Sequence, residues 1–340
     1  NNVKIEYQTS LLSHRDFLGQ YGYKEDDWLD SHLRATSQSD RKLTQIETAY
    51  FTPLRDNPNP EPLILPKFSN EEYWLSDTNN YSTERKLDIV ALTEKSSRSV
   101  RANTEFNTET TWVTPFGIKL IGHGNLSGTF LKFWQNEMRV RTIFRPSITF
   151  STEARLPLVR KNGPTTELLE PIIQIVVTPK PKFLDQTPHN DSYGVEFDET
   201  NLFTINRFPG IDKKEHGTRL NAGIQYYRET SSPFKYRAAL GQIYRHKRST
   251  QFSNASGLNG KKSDILISGH ISFDDSLSLS SRQLYTNSLT LRRAETNIGY
   301  SGKVNKISGD LIYIEPSSDE ERPKHIAELS LSGSSVLTNN

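Results

Sequence analysis

Alternation with a period of two runs through most of this 340-residue chain, and no other pattern limits its folding as severely. Such a period puts every second side chain on one face of an extended strand. Within residues 218–228, Leu220, Ala222, Ile224 and Tyr226 share one face, and Arg219, Asn221, Gly223, Gln225 and Tyr227 share the other. Within 264–274, Ile265, Ile267, Gly269, Ile271 and Phe273 oppose Ser268, His270, Ser272 and Asp274. Shorter examples are Val3, Ile5 and Tyr7; Leu87, Ile89 and Ala91; Trp112, Phe116, Ile118 and Leu120; Leu277 and Leu279; Leu289 and Leu291; Ile298 and Tyr300; and Ala327, Leu329 and Leu331. The pattern predicts an all-β, antiparallel fold.

Two all-β architectures remain: a soluble sandwich or solenoid, or a membrane barrel. Only 34% of residues are hydrophobic and mean hydropathy is −0.65. A membrane barrel needs apolar residues only at alternate positions, so its average hydropathy resembles that of a soluble protein. No run approaches the roughly 18 apolar residues of a spanning helix, and the apolar stretch 172–177 is broken by Gln174. Short turns at 230–233 and 274–276 alternate with longer loops such as 247–262, the outer-membrane habit of short periplasmic turns and long extracellular loops. Tyr226, Tyr227, Tyr236 and Tyr244 near strand ends fit interfacial girdles. At about 20 residues per strand and turn, the length supplies roughly sixteen strands. The favoured reading is a transmembrane barrel wall.

A net charge of +2 with both signs scattered leaves no polybasic stripe, so nucleic acid is not an expected partner. Cysteine is absent, which excludes disulfides and thiolate metal sites within the chain. Asn1 leads almost directly into alternation, and an exported protein requires a signal; the chain is therefore expected to be a slice of something longer. Residues 13–34 lack alternation and predict a partial helix capped at Ser13, with Asp16 at its third position.

Catalysis finds little support. His270, Ser272 and Asp274 are spaced along one strand face, where i, i+2 neighbours stand roughly 6.5–7 Å apart, too far for a triad. Glu196, Asp198, Glu199, Asp212 and Glu215 lack the EF-hand spacing of a calcium loop. They are expected to make salt bridges with Arg207, Lys213, Lys214 and Arg219. No metal or cofactor is expected, and there is no phosphate loop or dinucleotide fingerprint.

The chain's most distinctive text is the polar, acid- and glycine-rich loop 190–217, which opens into the strand containing Leu220. Asn190, Asp191 and Ser192 begin it. Glu196, Phe197, Asp198, Glu199, Thr200, Asn201, Leu202 and Phe203 follow, then Asn206, Arg207, Phe208, Pro209, Gly210, Ile211 and Asp212. Upstream stand Asp16, Phe17, Leu18 and Tyr21; the 52–65 segment; Phe144, Arg145 and Pro146; 156–159; and 169–174. Downstream stand 241–245 and 256–258. In this order the set resembles the LptD (OstA) family of lipopolysaccharide-assembly proteins across nearly the whole chain. Lys213 stands where that family usually has arginine.

The resemblance implies part of a Gram-negative outer-membrane translocon that inserts lipopolysaccharide into the outer leaflet. Residues 1–340 would be a partial barrel domain, with the periplasmic jellyroll and the terminal strands outside it. The implied partners are lipopolysaccharide, outer-membrane lipids, a plug lipoprotein of the LptE type and a periplasmic bridge of the LptA type. The 190–217 loop, including Glu215, would be an extracellular lid folded over or into the lumen. On the barrel reading Arg219, Asn221, Gln225, Ser268 and His270 face the lumen, and Leu220, Ile224, Ile267, Ile271 and Phe273 face lipid. Arg219 and Arg237 are read as forming lumen salt bridges, with lipid phosphates as alternative partners. A generic porin, or a soluble glycan-binding module, is the competing function.

Overall fold

The computed structural model describes residues 2–10, 28–53, 63–76, 78, 80–93, 97–135, 139–181, 194–211, 213–230, 233–274 and 276–336. Among these it has eighteen strands, and every register is antiparallel. In chain order they are β1 (Asn2–Gln8), β2 (Trp28–Ser39), β3 (Lys42–Pro53), β4 (Leu63–Leu75), β5 (Tyr81–Thr93) and β6 (Ser97–Val113). Next come β7 (Lys119–Gln135), β8 (Arg139–Arg155), β9 (Leu158–Asn162), β10 (Thr165–Thr178), β11 (Gly217–Thr230) and β12 (Phe234–Ser249). The series ends with β13 (Gly260–Lys262), β14 (Ile265–Phe273), β15 (Leu277–Tyr285), β16 (Leu291–Ser301), β17 (Asn305–Ile314) and β18 (Ile326–Ser335). Strand β9 continues β8 along β10, and β13 is a stub beside β12. Counting each as part of its neighbour leaves sixteen strands, the number the length predicts.

The chain divides into two compact units, Asn1–Thr110 with His123–Ile148 and Pro181–Thr187, and Thr111–Gly122 with Thr149–Lys180 and Pro188–Asn340. In the first, β1 to β6 pair consecutively. Side chains join β6 to β7: Asn125 donates to Asn107 at 2.6 Å and Thr129 to Asn103 at 2.8 Å. Leu33, Ile46, Ile89 and Phe106 stand exposed on the opposite face.

In the second unit, hairpins run from β10 through β18 in register except for shifts beside β13 and at Leu284 and Tyr285, so the face of each strand follows from its neighbour's. One face is apolar and exposed. Ile173, Ile175, Ile224, Leu240, Ile267, Ile271, Phe273, Leu277, Ile298, Ile307, Leu311 and Leu329 all lie on it. Near the turns Tyr226 and Tyr236 pack at 5.3 Å between centroids and share a hydrogen bond of 3.1 Å. At the other end of the same face of β12 lies Tyr244. Eight residues at about 3.3 Å each put Tyr236 and Tyr244 about 26 Å apart along the strand, close to the roughly 25 Å apolar band of outer-membrane barrels.

Several expectations are corrected. Trp28–Arg34 belong to β2, not to a helix; the rest of the 13–34 segment lies outside the described residues. Phe116 and Leu289 are turn residues, not strand residues: Phe116 is highly exposed between β6 and β7, and Leu289 takes a positive φ of 61° between β15 and β16. Tyr227 is not a girdle residue, because alternation puts it opposite Tyr226, where Arg237 lies over its ring at 5.1 Å.

Candidate functional site: a docked loop on the polar face

The polar face of β10–β17 is built in layers, one for each pair of residues along the strands, about 6.6–6.8 Å apart. Nearest the short turns is a row of small residues, with Lys235, Ser272, Ser278, Gly299, Ser308 and Ser332 in mutual register. The second row is Tyr227, Arg237, His270, Ser280, Asn297 and Asp310. The third is Gln225, Ala239, Ser268, Arg282 and Glu295. Above it the character changes: Ile172, Gly223, Gly241, Leu266 and Leu284 form an apolar row. Ile172, Leu266 and Leu284 are almost wholly buried, although they stand on the polar side.

The loop covers Leu266 and Leu284. Phe197, Leu202 and Phe208 from the loop join Ile243, Leu266, Leu284, Phe252 and Leu258 in one cluster, with Val195 and Phe203 against it. The chemistry of the 196–203 segment shapes the chain for this contact. Asp198 Oδ1 accepts from the backbone N–H groups of Thr200 at 2.8 Å and Asn201 at 3.0 Å. Asn201 Nδ2 donates to the Glu196 carbonyl at 2.6 Å. This Asx-type turn directs Leu202 and Phe203 onto β11 and β12. There Gly223 and Gly241 face each other in register, and the missing side chains leave room for Leu202. A Cβ on Gly223 would lie 2.7 Å from the Leu240 carbonyl oxygen and 3.0 Å from Leu202 Cδ2.

At the loop's far end a buried ionic hub fixes it to the sheet. Glu215 Oε2 accepts from Arg207 Nη1 at 2.7 Å and lies 3.6 Å from Arg219 Nη2, while Oε1 accepts from Arg245 Nη2 at 3.4 Å. No side chain in this group is more than 4% exposed. Burial pushes the Glu215 carboxyl up, but the three guanidinium groups outweigh it and hold it below the ordinary value of 4.5. Arg207 Nη2 also donates to the Leu202 carbonyl at 2.7 Å, and Arg219 donates to the Ile205 carbonyl. The Glu215 N–H donates to Asn206 Oδ1 at 2.8 Å. Under the loop, Gln174 donates to the Phe203 carbonyl at 2.8 Å and accepts from Asn221 at 2.6 Å. A second long loop braces the first: His216 N–H donates to Gln251 Oε1 at 3.0 Å, and Gln251 Nε2 to the His216 carbonyl at 2.9 Å.

The loop acids do form ion pairs: Glu215 meets the expected Arg207 and Arg219, whereas Glu199 and Glu196 pair with strand arginines that the sequence did not single out. Glu199 binds Arg282 of β15 through two 2.7 Å contacts, and Glu196 meets Arg293 of β16 at 2.6 Å. The hydrogen bonds from Arg282 hold the Glu199 carboxyl below its ordinary value, with burial opposing. Lys213 instead donates to the Gln251 carbonyl at 2.8 Å and sits 4.4 Å from the Phe208 ring centroid; burial lowers its pKa. Asn190, Asp191, Ser192 and Asp212 lie outside the described residues, so their expected roles in the loop are not placed. Gly210 is described, at the bend of the loop between Phe208 and Glu215. His270 lines one cavity, while Ser272 and Asp274 line another.

Among the described residues, two open cavities lie against this face. One of about 870 Å³ is lined by residues of the second and third rows, among them Tyr227, Arg237, His270, Arg282, Asn297 and Asp310, with Glu199 of the loop. The other, about 930 Å³, lies toward the turns and is lined by Lys235, Ser272, Ser278, Ser308 and Lys306 among others. Sequence reasoning missed the hydrophobic seat under the loop. Its signal was present: Ile243, Leu266 and Leu284 fall out of phase with the apolar face of their own strands.

Antiparallel hairpins with one exposed apolar face, one polar face and tyrosines at both margins define an outer-membrane β-barrel protein. Residues 2–340 match the family model described as LptD: LPS transport system D, and the chain belongs to that family. It is therefore an outer-membrane protein of Gram-negative bacteria concerned with lipopolysaccharide transport. Among solved structures it is similar to CdiB from Escherichia coli, with 8% identity and a TM-score of 0.42 over 98% of this chain and 67% of that one. A further likeness is to the transport unit of the autotransporter AIDA-I from Escherichia coli, with 8% identity and a TM-score of 0.29 over 91% and 90% of the two chains. No curated protein matches the chain.

Proposed function

We propose that this chain is wall and lid of the translocon that inserts lipopolysaccharide into the outer leaflet. The observation that carries this reading is the loop seated on the polar face, with an open wall beside it. An amphiphile with a large anionic glycan needs such a wall for its sugar, while its acyl chains travel in lipid. Arg219, Asn221, Gln225, Ser268 and His270 then face the lumen. Of these, Gln225, Ser268 and His270 line the open cavity, whereas Arg219 and Asn221 are buried under the lid. Leu220, Ile224, Ile267, Ile271 and Phe273 face lipid. A lid held by Leu202, Phe203, Arg207, Phe208 and Glu215 closes the long-loop end of the wall to bulk solvent.

Transport on this reading is driven by partners. A periplasmic bridge of the LptA type would deliver the lipid, and a plug lipoprotein of the LptE type would occupy the lumen. Depleting the full-length protein in its own cells tests the assignment. Surface lipopolysaccharide should fall while the lipid accumulates inside. Unchanged surface lipopolysaccharide with reduced small-solute permeability would make this a porin wall instead.

A further inference from the structure

Most cations on the upper polar face are already neutralised. Arg282 is held by Glu199 and lies 3.4 Å from Glu295; Arg293 meets Glu196 and Glu295; Arg207, Arg219 and Arg245 share Glu215. Lower on the same wall the pattern reverses. Lys235, Arg237 and Lys306 are exposed, and among the described residues none of the three has a carboxylate partner. Lys235 and Arg237 lie two residues apart on β12 and so project from the same face, about 6.6–6.8 Å apart. His270 is the register partner of Arg237. The Tyr227 ring supports the Arg237 guanidinium at 5.1 Å, which orients a group that would otherwise sample many rotamers.

The acids nearby offset only part of this charge. Glu199 and Glu295 are committed to arginines. Asp310, hydrogen-bonded by the neutral Asn297 amide at 2.6 Å, and Asp274 of the β14–β15 turn keep their negative charge, so Lys235, Arg237 and Lys306 stand against these two carboxylates around the cavities. The floor around the cations is hydroxyl-rich and nearly free of bulk: Ser272, Ser278, Ser308 and Ser332, with Gly299 between them. Together the two cavities offer fixed positive charge beside many small donors and acceptors. Guanidinium and ammonium groups recognise phosphate through charge-assisted hydrogen bonds, and serine hydroxyls both donate and accept, as sugar hydroxyls require.

We propose that Arg237, with Lys235 and His270, forms an anion-reading site that selects glycans bearing phosphate as they pass this wall. The assignment rests on the translocon reading above and adds specificity residues to it. Arg237 contacts the phosphate, Tyr227 positions Arg237, and the serine row holds the neighbouring sugar. Lys306, across the lower cavity, extends the positive field toward the turns.

The test uses the full-length protein with its bound partners in detergent. Its probe is deacylated lipopolysaccharide, before and after phosphatase treatment. Wild type should bind the phosphorylated form at least about tenfold more tightly. The double variant Lys235→Gln/Arg237→Gln should lose that preference while binding the dephosphorylated form as before, and Arg237→Lys should retain most of it. Heat-modifiable migration of each variant confirms that it is folded. Equal binding of both probes by wild type, or undiminished preference in the double variant, overturns the proposal. Neither result bears on the depletion experiment, so failure of the site and failure of the translocon reading are separable.

Discussion

Leu202 of the loop rests so closely on Gly241 of β12 that a methyl group added to Gly241 would overlap Leu202 Cδ2. The contact joins the chain's most distinctive sequence to a place where the sheet has no side chain. Gly223 and Gly241 are wanted here for space rather than for an unusual φ, since only an absent Cβ lets the loop reach the backbone.

Gly241→Val should therefore expel Leu202 from its seat. Overpacking of this kind costs about 1–3 kcal/mol, and Leu202→Ala, which leaves a cavity instead, about 2–5 kcal/mol. Both variants should make the 194–211 segment sensitive to added protease while the strands remain protected. Wild-type cleavage kinetics in Gly241→Val would show that Leu202 does not anchor the loop.

Glu215→Gln leaves Arg207, Arg219 and Arg245 buried without a counter-charge. Breaking a buried pair by removing one partner costs about 3–5 kcal/mol. The expected outcome is a lowered unfolding midpoint in lipid vesicles together with loss of loop docking. Substituting Glu320, an exposed acid that pairs with Arg322 at 2.6 Å, should leave both unchanged.

Ile267 and Ser268 are sequence neighbours on opposite faces of β14, midway between the tyrosine margins. Arginine at Ile267 should cost about 2–4 kcal/mol of stability in a bilayer, whereas arginine at Ser268 enters the open cavity and should cost far less. Equilibrium unfolding of the two variants in vesicles measures the difference. Equal costs would contradict the assignment of faces.

Acid should release the loop only below the ordinary glutamate range. Glu199 and Glu215 both have pKa values below 4.5 in the folded protein. Their contribution is thus complete above the unfolded value and is lost as pH falls through the lower, folded one. A spectroscopic probe on the loop should report docking that is flat from pH 7 to about pH 5 and weakens at more acid pH. Arg282→Gln should move the onset of that loss upward by removing the partner of Glu199.

The strands were legible because alternation is a local property: each of Leu220, Ile224, Ile267 and Ile271 declares its face against its immediate neighbours. The same locality explains the errors. Phe116 and Leu289 continue a period of two across tight turns, where hydrogen bonds from Gly117 N–H to the Thr114 carbonyl and from Leu289 N–H to the Thr286 carbonyl, both 2.9 Å, reverse the chain. Sequence proximity pairs Glu196 and Glu199 with cations of the same loop. Folding instead brings Arg282 and Arg293 to them from strands some eighty residues or more away.

The sequence by itself determined the antiparallel class, about sixteen strands, the apolar face and, through the order of its motifs, the family. Those features depend on residue spacing along the chain, which folding does not change. Tertiary structure alone decided that the acidic loop has an apolar underside, that one glutamate serves three arginines, and that Lys235 and Arg237 make no ion pair among the described residues. Such facts depend on which strands come to lie side by side, and register between distant segments is fixed only when the sheet forms and buries the loop against it.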